Sequence, residues 1–261
     1  MINSIQPVYT NWNILLLWKP RNLSSTHGSN TSLIDLIQNQ KEHPWVDLPI
    51  DLHKRLEDYL SQWKRTDINW SEATSQLRNQ WSYDQEFWLL NRLDTPTWWF
   101  LTFATNPEAK KEFLSQQRAW TIHKHYLTRV SWNPSYLIQH PTKGYDNLTI
   151  LINVHEDTIT VSVPLKHHRH LDDRMVAIKS DKDLSKWRDR LLDCTTTLRV
   201  LGWPMQKNWK QQSLVQCTIT QWQRHQIRVH CQTLGYSIVG DALYGKEKVW
   251  WLELWCMGYQ S

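Results

Sequence analysis

The chain has 261 residues, enough for one large domain or two small ones. A formal net charge of +5 and a pI near 9.0 suit a polyanionic partner, although charge alone does not identify one. The four scattered cysteines form no C-x-x-C pair, so neither a disulfide framework nor a zinc ribbon is indicated. The start of the chain lacks the regions of a signal peptide, and its apolar runs are too short to cross a membrane. We therefore expect a soluble, cytoplasmic protein with reduced thiols.

The N-terminal third combines one strand with a helical region. Residues 13–18 predict a short buried strand, which is ended by segment 19–22. Residues 51–63 predict an amphipathic helix, because apolar side chains recur on one face at helical spacing. Two further helices are predicted at 31–40 and 69–80.

An acidic turn follows between two apolar runs. Arg92-Leu93-Asp94 comes at the end of the first run, a Thr-Pro-Thr turn follows, and residues 98–103 form the second run. A carboxylate is unusual at a position beside so much apolar surface. Taken by itself, Asp94 is best interpreted as a turn aspartate that bonds to its own backbone.

The rest of the chain predicts more strands than helices. Asn106, followed by Pro and Glu, predicts the start of a helix that runs to about Gln117. A last helix carries Arg228 and ends at Gly235. Strands are predicted at 120–130, 195–201 and 214–220, with a hairpin or bent strand pair at 148–165. This order predicts an α+β fold with a mixed, largely antiparallel sheet and flanking helices.

Two distant segments carry the most specific signal in the chain. Residues 91–106 are NRLDTPTWWFLTFATN, and residues 222–245 are WQRHQIRVHCQTLGYSIVGDALYG. In this order they resemble the first and last catalytic signatures of the RluA-type pseudouridine synthase family. Segment 124–127, KHYL, is similar to the family's K-x-Y-L element. The resemblance covers nearly the whole chain, outside a variable region near 36–85.

The resemblance implies an α+β pseudouridine synthase fold with a central RNA-binding cleft. It implies one catalytic domain at 1–261, with a helical insertion at 36–85 and without the separate N-terminal RNA-binding domain of many relatives. The insertion carries no recognisable chemistry, so a packing role is favoured over a lid that contacts RNA.

The resemblance also implies three catalytic residues. Asp94 would be the nucleophile that detaches uracil from ribose, whether it attacks the sugar or the ring. Burial alone would raise the pKa of Asp94, so Arg228 would offset the desolvation through a forked, charge-assisted bond. Tyr126 would pack on the uracil and help to remove the ring proton. Without the resemblance, Arg228 would be a solvated helix arginine and Tyr126 a core tyrosine. The chemistry needs neither a cofactor nor a metal, and none is expected.

Basic and polar residues are expected to bind RNA. Arg92 matches a position implicated in flipping the target base out of its stack, although a structural arginine is nearly as good an interpretation. The basic connection 166–174 would contact phosphates, although a run of charge is usually a solvated face. Its histidines have no acidic or cysteine partner at a ligand spacing, so no metal site is expected there. The expected RNA-binding residues are Lys19, Arg21, Arg92, Lys124, Arg169, Arg174, His225 and Gln226.

The chain departs from the family's pattern within these motifs. Asn91 replaces the usual His, and Trp99, Trp132 and Trp222 stand where the family has Gly. The chain holds 18 Trp but only 7 Gly, whereas average usage would give roughly 18 Gly. Either the cleft has diverged, with indoles that stack on bases, or the source organism reads UGA as glycine.

The sequence therefore predicts an RNA pseudouridine synthase, an isomerase that acts on uridine in rRNA or tRNA. RNA is the expected partner, with no membrane and no obligatory protein partner. The alternative is a catalytically inactive RNA-binding relative whose cleft is blocked by Trp99 and Trp222.

Overall fold

A computed structural model describes residues 7–10, 13–19, 24–25, 32, 89–104, 106–131, 149–153, 158–171, 173–178, 191–202, 212–245 and 252–260. Ser32, the one described residue of the predicted helix 31–40, forms an isolated parallel bridge with Ser24. The contacts divide the chain into two compact units, Met1–Gln116 and Gln117–Ser261. Several predictions lie outside the described residues, namely the helices 51–63 and 69–80, the insertion 36–85, Arg21 and Trp132.

The first unit contains a three-stranded antiparallel sheet. Its strands are β1 (Pro7–Thr10), β2 (Ile14–Lys19) and β3 (Trp98–Ala104), with β2 in the middle. Leu101 and Phe103 of β3 are fully buried, and Leu89 bridges Phe103 from the preceding apolar run. The strand predicted at 13–18 is confirmed, and the second apolar run, 98–103, forms most of β3.

The second unit contains a six-stranded antiparallel sheet and a separate two-stranded hairpin. The eight strands are β4 (His123–Ser131), β5 (Thr149–Asn153), β6 (Thr158–Ser162), β7 (Leu165–His167), β8 (Met175–Ala177), β9 (Thr195–Gly202), β10 (Gln212–Ile219) and β11 (Leu254–Gln260). The six run in the spatial order β11, β4, β10, β9, β6, β5, and β7 pairs with β8. The connection 166–174, expected to be a basic loop, therefore begins in one strand of this hairpin and leads to the other.

Two helices are described, α1 (Pro107–Arg118) and α2 (Gln226–Thr233). The Asn106 side chain caps α1, because its Oδ1 accepts the Ala109 N–H at 2.7 Å. After α2 the chain reaches Gly235 at φ 85°, a left-handed conformation that glycine adopts without a steric penalty. Both helices agree with the sequence predictions.

The described strands and helices confirm the predicted α+β class. The strand pairings described within the first unit and within the second unit are antiparallel. Among the residues that the structure describes, no helix has both the length and the apolar character needed to span a membrane.

Candidate active site

Asp94 lies in the turn that leads into β3. The Thr97 N–H donates to the Asp94 carbonyl at 2.9 Å and closes the turn. The buried Ser25 hydroxyl donates to the Leu93 carbonyl at 3.0 Å and accepts the Leu93 N–H at 3.1 Å. The partly buried Asp94 is therefore attached to a backbone that is held on both sides.

Lys19, at the end of β2, supports the same turn. Its side chain is 0% exposed. Its Nζ donates to the Thr95 carbonyl at 3.1 Å and to the Thr97 carbonyl. Burial lowers the pKa of Lys19 to about 7, and attraction by Asp94 opposes that shift. A positive charge that attracts Asp94 therefore comes from within the first unit, which the sequence did not predict.

Asn91 and Arg92 begin the turn in two different environments. Asn91 is buried, and its Oδ1 accepts the Thr102 N–H of β3 at 2.7 Å. The Leu90 N–H donates to the Thr102 carbonyl at 2.8 Å. Asn91, which stands where the family has His, thus fastens the turn to the sheet. Arg92 is exposed, as a residue that contacts RNA must be.

Arg228, on α2 of the second unit, forms a buried ion pair with Asp241. Its Nε donates to Oδ2 and its Nη2 to Oδ1, both at 2.8 Å, and the side chains are 2% and 0% exposed. The N–H groups of Leu243 and Tyr244 also donate to Asp241 Oδ1, at 3.0 and 3.1 Å. A Cβ at Gly245 would lie 2.5 Å from the Asp241 carbonyl oxygen, so the turn needs glycine there. The forked bond predicted for Arg228 is therefore made to Asp241, a residue for which the sequence predicted no role.

Tyr244 joins several parts of the second unit. Its ring centroid lies 5.1 Å from Arg228 Cζ, within cation–π range. Its hydroxyl accepts the Met175 N–H of β8 at 2.8 Å and is 2.8 Å from His225 Nδ1. His225 precedes α2 at φ 56°, a left-handed conformation that is rare for residues other than glycine.

Lys124 and Tyr126 lie on the buried face of β4. Lys124 Nζ is 4.2 Å from the ring centroid of Trp222, 5.6 Å from that of Tyr259 and 5.8 Å from that of Tyr126. Three aromatic rings therefore surround the ammonium. Trp222, at a position where the family has Gly, makes the shortest of these contacts.

The structure corrects the predicted placement of four RNA-binding residues. Lys19 and Lys124 are buried, so neither belongs to an exposed phosphate-contacting surface. His225 and Gln226 are also buried. Gln226 Nε2 donates to the Thr195 carbonyl at 2.9 Å, which ties the start of α2 to β9. These side chains bond to the protein itself, because burial leaves a polar group in need of an internal partner.

The connection 166–174 keeps its predicted exposure. Arg169 is exposed, and the Arg174 side chain is 41% exposed, with its Nε 3.9 Å from Asp173 Oδ1. The N–H groups of His170 and Leu171 donate to His168 Nδ1 at 3.2 and 3.1 Å. Within the described part of the chain, no group of three or more His, Cys, Asp or Glu residues is arranged to hold a metal ion.

Comparison with known families identifies the chain. The family described as RNA pseudouridylate synthase matches residues 13–233, most of the sequence. The chain belongs to this family. The match confirms the resemblance to RluA-type pseudouridine synthases that the NRLD and HQIRVH segments predicted.

Two relatives of this pseudouridylate synthase family member match it at low identity. A protein of Chloroflexus aurantiacus, named an uncharacterized RNA pseudouridine synthase, is 27% identical over 161 residues, which cover 61% of this chain and 39% of the relative. The ribosomal large subunit pseudouridine synthase D of Nitrosomonas europaea is 25% identical over 158 residues, 60% of this chain and 36% of the relative. The matched parts are well under half the length of either relative.

A solved structure supports the fold. Human RNA Pseudouridylate Synthase Domain Containing 1 superposes with a TM-score of 0.58 at 17% identity, covering 99% of this chain and 79% of that chain. The predicted pseudouridine synthase fold is confirmed.

Sequence reasoning missed Asp241 and Tyr244 and gave Lys19 a role in RNA binding instead. The place of Lys19 beside Asp94, the pairing of Asp241 and the bridging by Tyr244 all depend on tertiary contacts. The available signal for Asp241 and Tyr244 was the segment 222–245, which ends in GDALYG and was matched to the family without a role for either residue.

Proposed function

We propose that this protein isomerises uridine to pseudouridine in RNA and that Asp94 is the nucleophile. The observation that carries the proposal is the construction of the Asp94 turn, whose backbone is held by the buried Ser25 and Lys19. A nucleophilic carboxylate must be charged and precisely oriented. Lys19 attracts the carboxylate when it is protonated, and the bonds to the turn restrict the position of Asp94. Family membership supports the reaction, and the NRLD segment supports the choice of residue.

In the proposed reaction, Asp94 attacks the ribose or the uracil ring and the glycosidic C–N bond breaks. The freed uracil turns, its fifth carbon bonds to the ribose, the bond that Asp94 formed breaks to return the carboxylate, and the hydrogen on the fifth carbon leaves as a proton. The former glycosidic nitrogen gains a proton, so the product is an isomer of the substrate. Tyr126, on the buried face of β4, is proposed to pack on the uracil and to help remove the ring proton. Arg228 is proposed as the fixed cation of the site, with Asp241 orienting its guanidinium.

The proposed substrate is structured RNA, either ribosomal or transfer RNA. The relative from Nitrosomonas europaea is named for the large ribosomal subunit, which favours ribosomal RNA as the first substrate to test. Arg92, Arg169 and Arg174 are the predicted RNA-binding arginines that are exposed or partly exposed. We propose that Arg169 and Arg174 contact phosphates and that Arg92 fills the space left by the flipped base. Cytoplasmic location follows from such a substrate as part of the same proposal.

A second candidate function is RNA binding without catalysis. It is favoured by Trp222, whose indole covers the Lys124 ammonium at 4.2 Å, next to Tyr126. An indole at this position occupies space beside Tyr126, which is proposed to pack on the uracil.

Release of tritium into water, from RNA labelled at the fifth carbon of uridine, tests the two candidates. In vitro transcribed ribosomal RNA, which lacks pseudouridine, serves as the substrate. The protein and a Trp222→Gly variant are compared, and RNA affinity is measured for both. Release, with pseudouridine recovered by nucleoside chromatography, establishes the enzyme. RNA binding by both proteins without release by either establishes the binding protein and overturns the proposal.

A further inference from the structure

Tyr244, in the turn after α2, makes contacts that the proposed reaction does not use. Asp241 and Tyr244 hold Arg228 from two directions, by the fork and by the aromatic ring. The backbone of the turn is held as well, because Ser237 Oγ donates to the Tyr244 carbonyl at 3.0 Å. The position of the guanidinium therefore depends on the position of Tyr244.

The Tyr244 hydroxyl extends this set of contacts to the basic hairpin. It accepts the Met175 N–H of β8, one residue after the partly exposed Arg174. If a phosphate binds Arg174 and displaces β8, the Met175 N–H that bonds to the Tyr244 hydroxyl moves as well. The exposed end of the hairpin and the buried guanidinium are thus separated by one tyrosine side chain.

The same hydroxyl meets His225, which stands in an uncommon backbone conformation. No side-chain hydrogen bond caps α2 at His225, and its φ is 56°. A left-handed residue of this kind persists when its surroundings hold it in place. The 2.8 Å contact between Nδ1 and the Tyr244 hydroxyl is such a restraint. His225 is three residues before Arg228, at the start of the helix that carries the arginine.

We propose that Tyr244 is a positioning residue that couples RNA binding at the β7–β8 hairpin to the placement of Arg228. The inference rests on the proposed function for its consequence in catalysis, but the coupling itself is independent of catalysis. RNA that contacts Arg169 and Arg174 shifts or orders β8, and the Tyr244 hydroxyl transmits this to His225 and α2. In this proposal Tyr244 acts through Arg228 and not on the reacting atoms.

The test compares Tyr244→Phe, which keeps the ring over Arg228 but loses the hydroxyl, with Tyr236→Phe as the matched control. Hydrogen exchange measured by mass spectrometry follows the segments of β8 and α2, with and without in vitro transcribed ribosomal RNA. In the wild type, RNA should slow exchange in both segments. In Tyr244→Phe, RNA should still slow exchange in β8 but no longer in α2. Equal protection of α2 in both proteins, or none in the wild type, overturns the coupling.

Kinetics separate this inference from the proposed function. The kcat of Tyr244→Phe should fall roughly tenfold, as expected when hydrogen bonds that hold a group are lost, while KM for RNA changes less than about twofold. A purely structural role would lower Tm and leave both constants of the folded protein unchanged. If the wild type releases no tritium, the proposed function fails, while the exchange experiment still decides whether the coupling exists.

An independent observation concerns Trp120, just after the end of α1. Its φ is 59° and its side chain is 48% exposed. The Trp120 N–H donates to the Gln117 carbonyl at 3.1 Å, as in the left-handed termination that helices usually make with glycine. A bulky side chain is a clear outlier in this conformation, and an exposed indole gains little that would compensate for the strain.

We also propose that the protein made by the source organism has glycine at positions 120 and 222, because that organism reads the two codons as glycine. The chain's 18 Trp and 7 Gly fit such a reading. Glycine at 222 would uncover the Lys124 ammonium beside Tyr126, because the indole at 4.2 Å would be absent. The backbone conformation at Trp120 is independent evidence, since the sequence motifs did not point to that position.

Peptide sequencing by mass spectrometry of the protein purified from its source decides between the residues. Glycine at both positions is expected, and tryptophan at both overturns the proposal. Thermal unfolding of the chain with tryptophan provides a second readout. Trp120→Gly should raise Tm by about 2–6 °C through relief of the left-handed strain. Trp255→Gly, at a 3% exposed strand position, should lower Tm. If Trp120→Gly lowers Tm as Trp255→Gly does, the argument that the left-handed backbone at Trp120 is strained is contradicted.

Discussion

The buried pair of Arg228 and Asp241 should contribute more to stability than any exposed ion pair of the hairpin. Asp241→Ala removes two 2.8 Å bonds and leaves a guanidinium that is 2% exposed without its charge partner. Removal of one partner from a buried pair costs about 3–5 kcal/mol. At roughly 2–4 °C per kcal/mol for chains near this size, Tm should fall by about 6–20 °C.

The control is Asp173→Asn, which breaks a pair at 3.9 Å whose side chains are 41% and 58% exposed. Surface pairs of this kind are worth about 0–1 kcal/mol, so Tm should hardly change. The double replacement Arg228→Met with Asp241→Leu should recover much of the stability lost in Asp241→Ala, because no unpaired charge stays buried. Thermal unfolding followed by circular dichroism measures all three. A loss in Asp241→Ala no greater than in Asp173→Asn would refute the reasoning.

Three further outcomes can be measured on the folded protein. The wild type should gain stability relative to Lys19→Met as pH rises from about 7 to 10.5. In this range Lys19 keeps its proton in the unfolded chain but has released it in the folded protein. A difference in urea midpoints that does not change with pH would contradict this prediction. Burial lowers the pKa of His230 to about 4 from 6.5. Stability should therefore fall by up to about 3 kcal/mol as pH decreases through that interval, and the fall should be smaller in His230→Gln. Asn106→Ala should cost about 1 kcal/mol through loss of the α1 cap, whereas Asn106→Asp should retain most of the stability in the same urea titrations.

Local chemistry made much of the fold predictable. The helix at Asn106 was predicted from a capping side chain followed by proline, both of which act within one turn. Strands such as β2 and β10 were predicted from apolar runs and alternation, which reflect burial of one or both faces. The hairpin of β7 and β8 was missed, because three-residue strands are too short to show periodicity among basic residues.

The site was predicted less completely, for a physical reason. Asp94, Tyr126 and Arg228 were chosen from motifs, and their catalytic roles stay predictions. Lys19 and Lys124 were assigned to an exposed surface, because a lysine in a sequence carries no sign of whether carbonyls or aromatic rings will enclose it. The pairing of Arg228 with Asp241 likewise arises from a turn that returns the chain to α2, a tertiary feature that spacing alone does not specify.

The most direct test of the central claim is tritium release by Asp94→Asn. Asparagine has nearly the same shape as aspartate, but its amide keeps only one acceptor oxygen and is not a comparable nucleophile. The variant should bind in vitro transcribed ribosomal RNA with an affinity like that of the wild type and should release no tritium above background. Asp173→Asn, which removes an exposed carboxylate, should release tritium at the wild-type rate. Release by Asp94→Asn at a rate near that of the wild type would contradict the assignment of Asp94 as the nucleophile.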